Sequence, residues 1–379
     1  MTARSPGAPP FAPRYLTPQV EADLALKMVF LAGPRQVGKT TLALGLPGAR
    51  AGYLNWDDPE HRDRILRNEL PKSSLWVFDE LHKWRGWRGW VKGRYDTRRE
   101  EQRILVTGSG RLDLYRYGGD SLQGRYHLLR LHPFSLAELG DSRDAFESLF
   151  RFGGFPEPLF GGSETKARRW ARDYRTRLIR DEVTSLERVI DLGNLELLSL
   201  RLPELVGSPL SIQAVSEDLR VSHRAVENWI TILERLFAVY RLAPFGAPKL
   251  RALRHSRKLY FFDWSRVAQE AARFENLVAG HLLKWIHFRE DSEGRDLELR
   301  YFRDRDGHEV DFVVVANRRP ILFVEAKSGD EPIDRGLRFL KSKFPKVDAW
   351  QISRTGTKNS VGEAGIRAAP AAELLRDLA

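Results

Sequence analysis

The chain has 379 residues, 42% of them hydrophobic, and its 62 Lys and Arg against 51 Asp and Glu give a net charge of +11. That length exceeds one ordinary domain and suffices for two or three. The absence of cysteine excludes disulfides and zinc–thiolate sites, and neither a signal peptide nor a long apolar run is present. We therefore expect a cytoplasmic protein without a membrane partner, whose basic excess favours nucleic acid unless it only reflects an arginine-rich composition.

Hydrophobic patterning divides the chain into three parts. Up to about residue 135, short apolar runs alternate with helical stretches, which predicts an α/β domain. The strands predicted there are Val29–Ala32, Tyr53–Asn55, Leu75–Phe78, Ile104–Thr107 and Tyr126–Leu131. From about 136 to 245, apolar residues recur three or four positions apart, which predicts helices. The later predicted elements are strands Leu259–Phe262, Leu297–Phe302, Val310–Val315 and Ile321–Val324, with a helix over roughly Arg266–Phe288.

Residues 33–40 read GPRQVGKT and match the phosphate-binding pattern G-x-x-x-x-G-K-[ST]. The pattern lies between a predicted strand and a helix that starts near Lys39, which is the setting that phosphate binding requires. The two glycines let backbone N–H groups turn toward phosphate oxygens, Lys39 would reach the β- and γ-phosphates, and Thr40 would bind Mg²⁺. The predicted ATP-binding residues are Gly33, Pro34, Arg35, Gln36, Val37, Gly38, Lys39, Thr40 and Thr41.

The apolar strand Leu75–Phe78 is followed by Asp79 and Glu80. Ligands of open α/β sheets bind where strands end, so Asp79 is predicted to hold Mg²⁺ together with Thr40. Glu80 is predicted to polarise the attacking water as general base. An acidic pair that merely ends a strand is the alternative, which the preceding P-loop disfavours.

Other residues of this part are candidates for positions near the nucleotide. Ser109, after the strand Ile104–Thr107, could reach between the γ-phosphate and the water. Arg125 could act as an arginine finger on a neighbouring subunit, in a homo-oligomer, or could form a surface salt bridge, and Arg111 is its rival. His82 and His132 could lie near the nucleotide or be structural.

Segments Ile212–Arg220 and Ser222–Leu236 predict a helix-turn-helix, with Ser222 as the cap of the second helix. Val226, Ile230 and Leu233 would pack inward. The predicted DNA-contacting residues of the opposite face are Arg224, Asn228 and Thr231. A wing would follow, comprising strand Val239–Leu242 and the basic residues Arg251, Arg254, Arg257 and Lys258 near DNA phosphates. Because Glu227 and Glu234 share the second helix, a winged helix used only for packing between domains is an equal alternative.

The C-terminal part carries Asp311 and Glu325 on two strands of a predicted hairpin, with Lys327 two residues further on. This is the D-x(n)-E-x-K arrangement of restriction-endonuclease-like nucleases, in which carboxylates hold Mg²⁺ or Mn²⁺ and the lysine activates water. Glu275 in the preceding helix and Glu309 are candidate further acids. An amphipathic hairpin with solvated charges, or a nuclease fold without activity, is the alternative.

Taken in order, these motifs resemble a family of AAA-type (AAA+) P-loop ATPases of bacteria and archaea that carry a C-terminal region of unknown function. The resemblance extends from about Pro13 to about Ile352. Its stretches are GPRQVGKT, VFDELHK (77–83), VTGSG (106–110), SLQGRY (121–126), LHPFSLAEL (131–139), GGFPEPL (153–159), RDEV (180–183), the helix-turn-helix, KLYFFDWS (258–265), FENLV (274–278), RDGHEVDFVV (305–314) and VEAKSG (324–329). Ser109 stands between two glycines where a second serine is more usual, and His82 replaces a residue that is usually glutamine.

The resemblance implies an α/β AAA+ core, a winged-helix-like middle and a small nuclease-like α/β end. We predict a disordered tail over 1–14, the ATPase core over 15–140, a helical lid and winged-helix region over 141–256, and the nuclease-like domain over 257–379. The leading hypothesis is an ATP·Mg²⁺-dependent ATPase that couples nucleotide state to DNA binding and metal-dependent cleavage. The alternatives are an ATP-gated switch whose later domains only bind DNA or protein, and a transcription regulator with an ATPase domain.

Overall fold

A computed structural model describes residues 14–110, 112, 122–183, 191–246, 257–362 and 364–378. The predicted tail up to residue 13, and the candidates Arg111, Arg251 and Arg254, lie outside the described residues. Within these ranges, no helix combines the length and the apolar character needed to cross a membrane.

The N-terminal part is built on a parallel sheet, which confirms the predicted α/β class. Among the described residues its strands are β1 Met28–Ala32, β2 Tyr53–Asn55, β3 Leu75–Asp79, β4 Arg103–Gly108 and β5 Tyr126–Arg130, in the spatial order β2-β3-β4-β1-β5. All five residues of β1 are buried, as expected for a parallel strand covered on both faces. The helices of this part are α1 Thr17–Leu24, α2 Lys39–Gly45, α3 Pro59–Leu66 and α4 Trp87–Asp96, with 3-10 turns at Arg50–Gly52 and Leu81–Lys83.

Because these strands are parallel, their carboxyl ends lie at one edge of the sheet. The P-loop follows β1, Trp56 follows β2, Glu80 follows β3, and Ser109 follows β4. The functional side chains predicted from separate stretches of sequence are thereby brought to the same edge.

The middle of the chain is helical, as predicted. Its helices are α5 Leu136–Leu139, α6 Arg143–Phe152, α7 Pro156–Gly161, α8 Glu164–Arg177, α9 Leu192–Arg201, α10 Ile212–Leu219 and α11 His223–Arg235, with a π-helical turn at Leu178–Val183 and a 3-10 turn at Leu202–Leu205. The Ser222 hydroxyl accepts a hydrogen bond from the N–H of Ala225 at 3.1 Å and caps α11, as expected. Val226, Ile230 and Leu233 are buried, so α10 and α11 form the predicted helix pair.

The C-terminal part is built on a mixed sheet. Its strands among the described residues are β6 Val239–Pro244, β7 Lys258–Phe261, β8 Leu297–Arg303, β9 Glu309–Ala316, β10 Arg319–Lys327, β11 Asp348–Ser353, β12 Ser360–Val361 and β13 Ile366–Pro370, in the order β12-β13-β11-β10-β9-β8-β6-β7. Its helices are α12 Glu270–Glu293, α13 Arg335–Lys343 and α14 Ala371–Leu375, with a 3-10 turn at Trp264–Arg266. Strands β11 to β13 have no counterpart in the sequence prediction.

Strand β6, which directly follows the helix pair, is shared between the middle and the C-terminal part. It pairs with β7 antiparallel over Val239–Leu242 and with β8 in parallel at Ala243 and Pro244. The boundary predicted at 256/257 stays a prediction, and the sheet continues across it.

Candidate functional site

The P-loop depends on two glycines whose backbone geometry excludes other residues. Gly38 precedes α2 with φ 103°, in the left-handed region. Gly33 lies so close to the end of β5 that a Cβ atom added to it would stand 2.3 Å from the carbonyl oxygen of Leu131. The motif therefore takes a tight loop that ends at a helix N-terminus, where N–H groups can bind phosphate.

Lys39 is held against the loop to which it belongs. Lys39 is 6% exposed, and its ammonium donates hydrogen bonds to the carbonyl oxygens of Gly33 at 3.0 Å and Pro34 at 2.7 Å. Those bonds keep the charge inside the loop, next to the N–H groups expected to receive the β- and γ-phosphates.

Asp79 is surrounded by hydroxyl groups. Thr40 Oγ1 and the Tyr53 hydroxyl each donate to Asp79 Oδ2 at 2.8 Å, and the Thr107 hydroxyl donates to the other carboxylate oxygen. These donors are neutral, so they orient the carboxylate and leave its negative charge available. Thr40 and Asp79 thus form an oxygen donor pair that fits Mg²⁺. Tyr53 and Thr107 were not predicted, although both lie on strands next to β3.

Glu80 follows Asp79 in a left-handed conformation, with φ 55°. Ser109 Oγ donates to Glu80 Oε2 at 3.4 Å, and Lys83 Nζ lies 3.2 Å from the same oxygen. Burial raises the pKa of Glu80, which suits a group that takes a proton from water. The structure thus brings Asp79, Glu80 and Ser109 together, although they come from two different strand ends.

His82, which the resemblance left without a role, packs beneath Glu80. It is 5% exposed, and its Nε2 lies 3.9 Å from Glu80 Oε2. A Cβ atom at Gly108 would stand 2.7 Å from His82 Nδ1. The first glycine of Gly108-Ser109-Gly110 therefore makes room for the imidazole.

Arg125 forms a surface ion pair. Its Nε lies 2.8 Å from Asp96 Oδ1, on an exposed part of the domain. A surface salt bridge was one of the two roles expected for Arg125. The other role, an arginine finger, stays a prediction. His132 is buried between β5 and α12, with Nε2 2.8 Å from His287 Nδ1. Burial holds the pKa of His132 well below its ordinary value, so this histidine is neutral and structural.

A cavity of about 840 Å³ opens beside the P-loop, between it and helices α7 and α8. The indole N–H of Trp170 donates to Gln36 Oε1 at 2.9 Å and joins α8 to the loop. Lys166, Arg169 and Arg177 line the cavity. Other arginines of this stretch are engaged elsewhere: Arg168 with Glu164, Arg172 with Asp173, and Arg180 with Glu196.

Arg169 and Arg177 are exposed and form no ion pair with any residue in the described parts of the chain. They are the cations of α8 best placed to meet a nucleotide at the P-loop. The sequence alone does not distinguish these two from the other arginines of α8, because the distinction depends on which face of α8 meets the loop.

A buried ionic network links the P-loop to the C-terminal part of the chain. Arg14 donates to the carbonyl oxygen of Val37 at 2.8 Å, and its Nε lies 2.8 Å from Glu138 Oε1. The other oxygen of Glu138 accepts from Lys284 on α12, whose ammonium also donates to Ser135 Oγ at 2.7 Å. Lys284 and Arg14 lower the pKa of buried Glu138 to about 2, against the effect of desolvation.

The predicted nuclease residues lie together on adjacent antiparallel strands. The N–H of Asp311 on β9 donates to Glu325 Oε2 at 3.1 Å, and the N–H of Ala326 on β10 donates to Asp311 Oδ2 at 3.0 Å. Lys327 Nζ lies 2.8 Å from Glu325 Oε1 and 3.0 Å from Asp334 Oδ2. Burial and the charge of Asp311 raise the pKa of Glu325 to about 8.

Lys258 corrects one prediction. It was expected on a wing beside DNA phosphates, but it is 1% exposed, and its ammonium lies among three carboxylates. The distances from Lys258 Nζ are 2.7 Å to Glu309 Oε1, 3.3 Å to Glu275 Oε1 and 3.6 Å to Asp311 Oδ1. The prediction was wrong because β7, which begins at Lys258, is buried along its whole length although it is the last strand of the sheet.

Glu275 faces the Lys258 ammonium and is also buried beneath Tyr260 and Gly207. The Tyr260 hydroxyl donates to Glu275 Oε1 at 2.6 Å, and a Cβ atom at Gly207 would stand 2.8 Å from Glu275 Oε2. Burial and the charge of Asp311 raise the pKa of Glu275 to about 7.

A divalent ion does not fit the C-terminal carboxylates as they are arranged. Asp311 and Glu325 each give one oxygen to a backbone N–H, and the ammonium groups of Lys258 and Lys327 lie against the other oxygens. Among the described residues, the acidic and histidine side chains whose ligand atoms converge within 4.8 Å are Asp304, Asp306 and His308, in the connection between β8 and β9.

The predicted DNA-contacting face of α11 is only partly exposed. Arg224 and Asn228 are exposed, whereas Thr231 is half-buried and its hydroxyl donates to the carbonyl oxygen of Glu227 at 2.8 Å. Arg241 on β6 lies 2.7 Å from both Glu227 Oε1 and Glu234 Oε2, so the acids of α11 are paired with the neighbouring strand.

Comparison with known proteins gives three consecutive family matches. Residues 26–140 match the family described as AAA domain, residues 143–273 match a domain of unknown function (DUF8612), and residues 271–374 match a second domain of unknown function (DUF4143). Uncharacterized proteins of Mycobacterium tuberculosis and Mycobacterium bovis are each 25% identical over 331 residues, covering 82% of this chain and 73% of theirs.

A solved Walker-type ATPase of Pyrococcus abyssi is 13% identical, with a TM-score of 0.37, over 68% of this chain and 94% of that one. The family match coincides with the parallel sheet, the P-loop and the pair Asp79–Glu80. Residues 26–140 therefore resemble the AAA domain family and carry a P-loop at the carboxyl edge of a parallel sheet.

Proposed function

We propose that the protein hydrolyses ATP with Mg²⁺ at the carboxyl edge of the N-terminal sheet and passes its nucleotide state to the C-terminal part. The observation that carries the proposal is the direct hydrogen bond of 2.8 Å between Thr40 and Asp79, at the point where Lys39 and Glu80 also meet. A P-loop hydroxyl and a strand-end carboxylate so arranged are suited to hold a metal against phosphates.

The chain's own groups divide the work. Backbone N–H groups of residues 33–38 and the Lys39 ammonium receive the phosphates. Thr40 and Asp79 hold Mg²⁺, which neutralises charge that develops on the phosphate oxygens. Glu80 accepts a proton from the attacking water, and Ser109 keeps Glu80 oriented through their 3.4 Å contact.

The nucleotide state reaches α12 through the buried ionic network. Arg14 contacts the P-loop at Val37, Glu138 joins Arg14 to Lys284, and the helix that carries Lys284 also carries Glu275. A shift of the P-loop on ATP binding would therefore displace a charge whose partners lie in the C-terminal part of the chain.

For the later domains we propose that DNA is bound without being cut, since the carboxylates are paired with Lys258 and Lys327. Exposed Arg224 and Asn228 are the groups of α11 open to DNA. Metal-dependent cleavage by Asp311, Glu325 and Lys327 is the competing proposal, supported by the closeness of these three side chains. A homo-oligomer is part of this proposal only if Arg125 releases Asp96 and contacts the nucleotide of a neighbouring subunit.

The test is phosphate release from ATP by the full chain, with ATP binding measured in parallel. Lys39→Ala is expected to abolish both, because the phosphates lose their main cation. Arg125→Ala separates the finger role: normal ATP binding with lost turnover supports it, and normal turnover excludes it. Wild-type protein that binds ATP and releases no phosphate, with or without DNA, would contradict the proposed ATPase.

Cleavage is tested with supercoiled plasmid and single-stranded DNA, in Mg²⁺ or Mn²⁺, with and without ATP. We expect intact DNA in every lane. Cutting by the wild type that disappears in Lys327→Ala would overturn the non-cleaving proposal in favour of a nuclease.

A further inference from the structure

Two tryptophans lie stacked and half-exposed at the functional edge of the N-terminal sheet. Trp56 follows β2, and Trp84 follows the 3-10 turn after Glu80. Their ring centroids are 5.2 Å apart with an interplanar angle of 7°. Neither indole N–H donates to another side chain or carbonyl in the described parts of the chain, whereas Trp90 donates to Asn68 and Trp170 to Gln36.

The pair is braced rather than loose. Trp90 packs against Trp84 edge-on, with centroids 6.0 Å apart. Gly86 passes so close that a Cβ atom there would stand 3.1 Å from the Trp84 ring. Arg62 lies over Trp56, with its guanidinium carbon 6.0 Å from the ring centroid. An aromatic surface held in one orientation costs a ligand little ordering entropy when it binds.

The segment that carries Trp84 is strongly basic, whereas Trp56 is followed by two acids, Asp57 and Asp58. Residues 81–99 contain seven Lys and Arg against one acid, Asp96, which gives +6 of the chain's +11 within nineteen positions. Arg85 is exposed, directly follows Trp84, and forms no ion pair with a described residue. Such an excess next to flat aromatic faces matches a ligand that alternates anions with aromatic rings.

We propose that Trp56 and Trp84, with Arg62 and Arg85, form a binding surface for single-stranded nucleic acid. Unpaired bases stack on the indoles, and the neighbouring guanidinium groups pair with phosphates. A duplex keeps its base faces inside the stack and can offer this surface only its phosphates. The surface is separate from α11, which carries the DNA-contacting residues expected from sequence.

The surface is joined to the catalytic edge by one ion pair. Lys83, next to Trp84, lies 2.6 Å from Oδ2 of Asp57, which is next to Trp56. The same ammonium lies 3.2 Å from Glu80 Oε2. A base that settles on the indoles and shifts either neighbour changes the contact of Lys83 with the general base. This coupling rests on the proposed ATPase function, and the binding itself does not.

Fluorescence anisotropy tests the binding with the full chain and labelled 20-nucleotide oligo(dT) or oligo(rU), without ATP or metal. Trp84→Ala is expected to weaken binding roughly tenfold, the usual effect of one lost stacking platform. Arg85→Ala is expected to weaken it less and to reduce its salt dependence. Trp350→Ala is the matched control, a half-buried tryptophan on β11 with Arg367 4.5 Å over its ring, and should bind as the wild type does.

If Trp84→Ala unfolds, which a thermal melt reveals, Trp84→Phe and Arg85→Glu take its place, with a small and a large expected loss respectively. Equal binding by wild type and Arg85→Glu, or no binding of either oligonucleotide by the wild type, would overturn the proposal. Preference for DNA or RNA identifies the source of the strand. Binding without any change in phosphate release would overturn the coupling alone, and absence of ATP turnover without oligonucleotide would count against the ATPase and not the surface.

Discussion

The two clusters of carboxylates in this chain are stabilised by different kinds of donors. Asp79 accepts hydrogen bonds from the hydroxyls of Thr40, Tyr53 and Thr107, which hold it in place without cancelling its charge. Asp311 and Glu325 instead face ammonium groups and backbone N–H groups, which neutralise and occupy them. Neutral donors thus leave a carboxylate ready for a metal ion, whereas buried cations make it part of the structure.

The largest expected effect tests the catalytic side of this comparison. Glu80→Gln should lower ATP turnover by roughly 10²–10⁴-fold, because the amide cannot accept the proton from water. Stability should be unchanged or slightly higher, since burial of the charged carboxylate already raises its pKa. Phosphate release and urea unfolding measure the two quantities. A strong loss of stability would show that Glu80 is structural.

Removal of the buried Lys258 ammonium tests the C-terminal cluster of carboxylates. Lys258→Met should destabilise the fold by roughly 3–5 kcal/mol, because Glu275, Glu309 and Asp311 lose their shared counter-charge. Urea unfolding without nucleotide measures it. Lys327→Met is the matched control, with a smaller loss expected, since the Lys327 side chain is 21% exposed. If Mn²⁺ without nucleotide stabilises the wild type and Asp79→Asn equally but does not stabilise Asp311→Asn, the C-terminal cluster binds metal and the comparison fails.

The pH dependence of the free energy of unfolding tests the contact of α12 with residues 131–139, where His281 accepts a hydrogen bond from the N–H of Leu136. Burial lowers the pKa of His281 to about 4, with Lys284 also lowering it and Glu138 opposing. The folded pKa lies below the unfolded value of about 6.5, so this contribution is complete above pH 6.5 and is lost as pH falls toward 4. From His281 alone we expect a loss of about 3 kcal/mol over that interval, while the raised pKa values of Glu275 and Glu325 add stability as pH falls. The difference in unfolding free energy between the wild type and His281→Gln, measured by urea unfolding at each pH, isolates the His281 contribution. This difference should change by that amount between pH 6.5 and 4, and a constant difference would contradict the prediction.

The smallest expected effect concerns the exposed ion pair between Arg125 and Asp96. Arg125→Ala should leave the melting temperature unchanged within error, because the pair with Asp96 is solvent-exposed and screened. Calorimetry in low and high salt checks this. A clear loss of stability at low salt would show that the ion pair contributes to the free energy of unfolding.

The strand–loop–helix setting of the P-loop could be predicted from sequence because the motif carries its own geometry. Gly33 and Gly38 define a local turn, and Asp79 and Glu80 follow a strand whose burial is visible in its composition. The C-terminal strands that carry Asp311 and Glu325 could be predicted because each contains a run of apolar residues.

What sequence missed depends on contacts between distant positions. Glu138 meets Arg14 across 124 positions and Lys284 across 146, and no local pattern encodes either contact. Lys258 looked like one basic residue among several, and only the folded structure places its ammonium among Glu275, Glu309 and Asp311. The arginines of α8 that line the cavity could not be distinguished from the others on that helix. The face of α8 that meets the P-loop follows from contacts such as that of Trp170 with Gln36.

Strand β6 makes the helix pair and the C-terminal sheet one mechanical unit. Its first residues follow α11, Arg241 ties it back to that helix, and its last residues pair with β8, next to the strand of Asp311. A force applied to α11 would be carried through β6 and β8 as shear on backbone hydrogen bonds. A partner that grips the helix pair therefore pulls on the whole sheet, and the two regions should yield in one step when stretched.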